Sequence, residues 1–304
     1  MNILSLVNAL PGAAAQGLIW GIMAIGVYIT FRILDIADLT VDGTLCTGGA
    51  VCIMMMLSGH NVWISMLAAT GAGLLAGFAT GIFHTFMGIP AILAGILTQL
   101  SLYSINLKIM GKANQAINVD KFNLLVSLRR VKGVALTQNT LFIVAIMIII
   151  LIAVLYWFFG TELGCSLRAT GCNPSMSRAQ GINTDRNKVL GLMLSNGLVA
   201  LSGALLTQYQ GFADINMGRG SIVIGLAAVI IGEAIFSRIF RNFALKLLSV
   251  VFGSILYYLV LQIVIWMGID TDLLKMLSAL VVAFFLAFPY WKGKYFTKAK
   301  QGGK

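Results

Sequence analysis

The stretch from Leu141 to Phe159 reads LFIVAIMIIILIAVLYWFF, without one charged or amide side chain. A helix of ~20 such residues matches the hydrocarbon thickness of a bilayer. In lipid every backbone N–H and C=O must find its partner inside the protein, so only helices and closed barrels cross. Barrel strands alternate apolar and polar residues, and this run does not. The chain is therefore built on membrane helices. Composition agrees: 59% of its 304 residues are hydrophobic and only 10% charged, against about 25% charged in a soluble domain.

Similar runs recur along the chain and predict an all-α, polytopic transmembrane helical bundle of about nine membrane segments. They fall near 14–33, 39–57, 62–86, 89–108, 139–159, 187–210, 219–236, 242–267 and 272–291. In this reading residues 1–291 form one transmembrane domain and residues 292–304 a basic cytoplasmic tail. Segments 39–57 and 219–236 are short and rich in Gly, Ser and Thr, the character of broken or partly inserted helices. No Lys or Arg precedes Arg32, so the basic region of a cleaved leader is missing and the first helix is expected to be retained.

The net charge of +11 is spread thinly between apolar runs. Topology control and anionic headgroups account for it better than nucleic acid does. With residues 160–188 inside, Arg32, Arg168, Arg178, Arg186, Lys188, Arg238, Arg241, Lys246 and the tail also fall inside, while Asp270 and Asp272 fall outside. Lys108, Lys112, Lys121, Arg129, Arg130 and Lys132 run against this rule, in an external loop that would meet either a binding protein or a lipid surface. Cys46, Cys52, Cys165 and Cys172 match no zinc spacing and are expected as free thiols. His60 and His84 have no acidic or His partner at ligand spacing, so no metal site is expected.

Two segments resemble each other. ADLTVDGT (Ala37 to Thr44) and ADINMGRGS (Ala213 to Ser221) each follow an apolar span and open a Gly-rich one. Under the topology above they run in opposite directions, as in the inverted repeats of transporters. Chance similarity of so short a match is the other reading.

The most informative region is the polar island GTELGCSLRATGCNPSMSRAQGINTDRNK, Gly160 to Lys188, between two strongly apolar spans. Asn173-Pro174 supplies a helix start, because Asn caps exposed amides and Pro is preorganised for the first helical position. Ser175 to Gln180 then forms about two turns, and Gly181 suits a left-handed stop. The expected product is a short cytoplasmic helix held between two spans, shaped to act as a lever. On shape alone, an ordinary surface loop with a helical turn reads as well.

The run SLRATGCNPSMSRAQGINTDRNK resembles the coupling-helix region of ATP-binding-cassette (ABC) permeases for branched-chain amino acids and ribose-type sugars. The family's pattern is matched by Arg168, Ala169, Gly171, Asn173, Ala179, Gly181, Ile182 and Asn183, with Pro174, Ser175 and Met176 opening the helix between them. GLMLSNGLVALSGALLTQYQG, GLAAVIIGEAIF and DIADLTVDGTLCTGGAV are similar to further family segments, and DLTVDGT with IIGEAIF resembles a branch associated with aromatic amino acid uptake. The resemblance implies a permease subunit in a prokaryotic plasma (inner) membrane. Two copies would line one pathway, cytoplasmic ABC ATPase subunits holding ATP and Mg would grip the short helix, and an extracellular or lipid-anchored binding protein would deliver a small, amino-acid-like solute. This chain carries no cofactor of its own in that picture and no ATPase site: it lacks a G-x-x-x-x-G-K-S/T loop, and MGKAN at Met110 has neither the spacing nor the hydroxyl. Sugar permeases of the family usually have an additional N-terminal span, and the basic loop near Lys121 is not explained by the resemblance.

Pathway candidates are polar residues inside apolar runs, which need partners or a cavity. They are Asp38, Thr40, Asp42, Thr44, Gln99, Asn106, Asn196, Gln208, Asp214 and Asn216. Helix capping explains Asp38, Asp42 and Asp214 equally well. Glu233 is expected to pair with Arg238 at the inner interface. Two rivals remain: an ion-coupled secondary transporter, which would favour paired mid-span carboxylates, and an intramembrane enzyme, for which no H-E-x-x-H and no nucleophile–base pair is present.

Overall fold

The computed structural model describes residues 3–119, 122, 124–131, 138–236, 239–240 and 242–268, with scattered positions from 273 to 287. Most of the expected last span, the basic tail, and Lys121, Lys132, Arg238, Arg241, Asp270 and Asp272 lie outside the described residues.

The helices are α1 (Ile3–Tyr28, closing in a π turn Ile29–Ile33), α2 (Thr40–Leu57), α3 (Val62–Thr85), α4 (Ala91–Met110), α5 (Thr140–Gly160), α6 (Glu162–Cys172), α7 (Pro174–Ala179), α8 (Thr184–Gln210), α9 (Ser221–Phe236) and α10 (Phe243–Trp266). Two three-residue strands, β1 (Asn114–Ala116) and β2 (Phe212–Asp214), pair antiparallel at the end of the molecule opposite α7. Among the described residues, seven helices are long and apolar enough to cross a membrane, and α9 is the shorter apolar one. The protein is a polytopic, helical, multi-pass membrane protein.

Three differences from the sequence reading have physical causes. α1 starts well before residue 14, because Pro11 sits inside it and removes only one backbone donor from an otherwise apolar turn. The polar island is not a loop with a single helical turn, since α6 occupies its first half. The connection between α1 and α2 turns at Asp35 with φ of 55°, a left-handed position that Asp tolerates better than most residues.

Helix directions follow from contacts. α1 runs antiparallel to α8: the Ser195 hydroxyl donates to the Gly26 carbonyl and the Ser202 hydroxyl to the Ile19 carbonyl, each at 2.8 Å. α2 runs parallel to α8, with Thr44 against Asn196 and Gly48 against Ala200. α3 runs antiparallel to α8 through Gly73, Gly77 and Gly81, which press on Asn196, Leu192 and Val189 and leave no room for a Cβ. Small residues at such spacing let helix backbones approach closely in lipid, where apolar side chains give no net drive to associate.

The second half repeats this with the chain reversed. α10 is antiparallel to α1 (Gly17 on Ile255, Gly21 on Val251), and α9 is antiparallel to α10 (Gly232 on Ser249, Gly253 on Ala228), so it runs with α1. α1–α3 and α8–α10 are thus the two halves of an inverted repeat, linked through α5, with α1 and α8 exchanging roles.

Candidate functional site

The starts of α2 and α9 meet inside the apolar zone. Gly218 lies against the Asp42 backbone, and Gly225 packs on Met23 and Val27, more than a turn before the π turn that follows α1 closes at Ile33. Each start leaves orphan amides, buried at α2 and partly exposed at α9, and each is closed by a carboxylate.

At α2, Asp38 is 2% exposed. Its Oδ1 accepts from the Thr40 amide at 2.9 Å, and its Oδ2 accepts from Asn196 Nδ2 at 2.7 Å. The Thr44 hydroxyl donates to Asn196 Oδ1 at 2.7 Å, so the amide of Asn196 is satisfied at both ends. The Thr40 hydroxyl shares a 2.7 Å hydrogen bond with that of Thr80, which donates to Thr98 at 2.9 Å. This buried network ties α2 to α8, α3 and α4. At α9 the carboxylate comes from α2. Asp42 accepts from the Gly220 amide at 2.9 Å, the Ser221 hydroxyl at 2.9 Å and the Ile222 amide at 3.0 Å.

Of the ten pathway candidates, the structure gathers Asp38, Thr40, Thr44 and Asn196 into that closed network and sets Asp42 beside it. Asn106 is buried and donates to the Gly43 carbonyl at 3.4 Å. Gln208 is buried and accepts from the Leu125 amide at 3.2 Å, pinning the loop before α5. Asp214 stands on β2, where it accepts from the Asn216 amide at 2.7 Å and from Asn114 Nδ2 at 3.3 Å. Gln99 is half-buried and Asn216 exposed. Sequence reasoning missed Thr80 and Thr98, which look like ordinary threonines of apolar helices. It also passed over Arg219, whose guanidinium stands 6.0 Å from the ring centroid of Tyr103. An arginine between two glycines in an apolar stretch was the signal.

At the other end, α7 forms close to the expected bounds. Asn173 Oδ1 accepts from the Met176 amide at 3.0 Å, Pro174 stands at the first turn, and Gly181 has φ of 81°. Asn183 then caps α8 through the Arg186 amide at 3.1 Å. Ile182 is tied back to the Ser177 carbonyl at 3.0 Å. α7 is exposed except at Ser177, and Met176 projects with 61% of its surface open. α6 supports it. Gly171 presses on the carbonyl of Ile33, and Asn187 of α8 donates to Thr170 at 2.9 Å and Ser166 at 3.2 Å. Ala169 is exposed on α6, and Arg168 lies 5.9 Å from the Phe243 ring centroid. Glu233 pairs with Arg32 at 2.9 Å, because α9 and α1 run in the same direction and end together. The expected partner, Arg238, is outside the described residues. Arg32, Glu233, Arg168 and Lys246 line a cleft of about 520 Å³ at this end.

Two helix starts capped inside the apolar zone, oppositely directed halves and an exposed short helix have the character of a membrane transporter. Residues 10–286 match the family described as branched-chain amino acid transport system / permease component, and the chain belongs to that family of ABC importer permeases. It is 38% identical over 272 residues to the tyrosine transport system permease protein of Clostridioides difficile (strain R20291), covering 90% of this chain and 88% of the relative. It is 25% identical to the fructose import permease protein FruF of Bifidobacterium longum (strain NCC 2705), covering 81% and 67%. Among solved structures, PsaBC from Streptococcus pneumoniae in complex with Fab shares the fold, with a TM-score of 0.56 at 17% identity over 98% of this chain and 100% of that one. The protein is the membrane-spanning permease subunit of an ABC importer.

Proposed function

We propose that two copies of this chain line one pathway and that α7 takes up force from cytoplasmic ATPase subunits, which hold the ATP and Mg. An extracellular binding protein delivers the solute, an amino acid of which L-tyrosine is the first to test, since the C. difficile relative is named for it. The observation that carries this reading is mechanical continuity. α7 is exposed yet capped at its start by Asn173 and stopped at its end by Gly181. It leads directly into α8, whose Asn196 holds the start of α2 through Asp38 and Thr44. α2 in turn holds the start of α9 through Asp42. A push on α7 would therefore reach the starts of both α2 and α9 through hydrogen-bonded joints. Arg168, Ala169 and Gly171 on α6 and Ile182 after α7 flank this helix in the chain and belong to the same proposed coupling region.

The test uses the full complex in proteoliposomes. Asn173→Ala removes the α7 cap, at a typical cost of ~1 kcal/mol, and Gly181→Val strains its stop. Both variants are expected to insert normally and to lose ATP-driven uptake and solute-stimulated ATP hydrolysis together. Full uptake by the purified chain without any ATPase, or wild-type coupling in both variants, would refute the proposal.

A further inference from the structure

Arg219 is the outlier of the apolar zone. Its ring partner Tyr103 lies on α4, about 18 Å from the first residue of that helix and about 10 Å from the last, at ~1.5 Å per residue. The guanidinium is therefore held at membrane depth, and it is exposed there. Among the described residues it has no ion pair or hydrogen bond; its one contact of note is the Tyr103 face. The nearby carboxylates are committed elsewhere: Asp42 to the amides and hydroxyl opening α9, Asp214 to Asn216 and Asn114. A charged side chain at this depth does not face hydrocarbon, so its open side belongs to a water-filled path or to a polar guest.

We infer that Arg219 is a solute-recognition residue that receives the carboxylate of the transported molecule, with Tyr103 as the wall beside it. The inference rests on the importer reading and deepens it: it names the residue that recognises the carboxylate of the amino acid proposed as solute. Arginine suits the task because its planar fork matches the two oxygens and stays charged at any physiological pH. The α9 N-terminus cannot serve instead, since Asp42 occupies its first amides. Gly218 and Gly220 on either side of Arg219 let the backbone pass Asp42 closely and turn, at φ of 83° for Gly220, into the helix.

The experiment measures ATP-driven uptake of labelled L-tyrosine, then of L-leucine, L-glutamate and a neutral sugar, by the complete complex in proteoliposomes. The wild type is expected to carry at least one of the amino acids and not the sugar. Arg219→Gln is expected to reduce that uptake roughly tenfold or more, the loss typical of a charge-assisted contact. Arg219→Lys should recover part of it, because charge returns without the bidentate fork. Thermal unfolding of both variants at the wild-type temperature separates recognition from misfolding. Wild-type uptake in Arg219→Gln, or equal loss in Gln and Lys variants, overturns the inference and leaves the importer reading standing. Sugar uptake without amino acid uptake overturns it as well. No uptake of any solute that the binding protein demonstrably holds would sink the importer reading itself.

Discussion

The starts of α2 and α9 solve the same problem in different ways. Both open inside the apolar zone, and both satisfy their first amides with a carboxylate instead of leaving a positive pole. α2 uses its own Asp38, bonded two residues ahead to Thr40 at 2.9 Å and sealed by Asn196. In the second copy of the motif, Asp214 makes the same local bond, to the Asn216 amide at 2.7 Å. α9 begins several residues later, so Asp214 is too far away to cap it, and Asp42 reaches across from α2. The repeated Ala-Asp thus keeps its turn and loses its cap. One start is closed into the scaffold. The other hangs from its neighbour and carries an open arginine, which in the proposed mechanism is where a moving α2 would change what a solute meets.

If α2 is the sealed half, its aspartate should be the costliest to lose. Asp38→Ala strands the Thr40 amide and one donor of Asn196, both buried, at ~1–3 kcal/mol for each unsatisfied group. A total of roughly 2–6 kcal/mol is a large share of the stability of a typical domain. The expected result is a markedly lowered unfolding temperature in detergent, or no monodisperse protein, with Asp38→Asn less severe because it can still accept from Thr40. Wild-type stability in Asp38→Ala would mean that the network is ornamental and the two starts are not different in kind.

Asp42→Ala comes next. It removes the acceptor for Gly220, Ser221 and Ile222, but Gly220 is exposed and Ile222 half-buried, so water can replace part of the loss. A cap of this kind is worth ~1–2 kcal/mol. The effect on transport should exceed the effect on unfolding, because Asp42 is the joint between α2 and α9. Measuring ATP-driven uptake and thermal unfolding on the same preparation checks this; a variant that is destabilised as much as Asp38→Ala yet transports normally would reverse the assignment.

The spans were legible because lipid demands long apolar helices, and runs such as Leu141–Phe159 admit nothing else. α7 was legible almost to the residue, since Asn173, Pro174 and Gly181 act on the backbone within a few positions of themselves. α6 was not. Its turns are polar, its Thr161 cap is one hydroxyl among several in the island, and Gly171 packs it on the distant backbone of Ile33, which has no local signature. Asp38, Thr44 and Asn196 stood out singly as polar groups in apolar runs. Their union depends on α2 lying parallel to α8, a long-range fact set by Gly48 and Gly203 at the contact. For the same reason Glu233 was matched to the nearest arginine in sequence, when the reversed repeat brings Arg32 beside it.

The smallest effect belongs to Asp214, and it tests whether the motif's two copies have parted company. Its bond to the Asn216 amide shapes a half-exposed turn, and its contact with Asn114 at 3.3 Å is one link of a short β pair that keeps its backbone hydrogen bonds without it. Water can take over both roles, so Asp214→Ala should cost no more than ~1 kcal/mol. Uptake is expected to fall by less than in Asp42→Ala, through loosening of the turn that positions Arg219. Comparing the unfolding temperatures of the Asp38→Ala and Asp214→Ala proteins in one detergent reads the difference directly. Equal losses would mean that the second Ala-Asp is buried against something it should not touch, and that the asymmetry between the sealed start and the hanging one is not real.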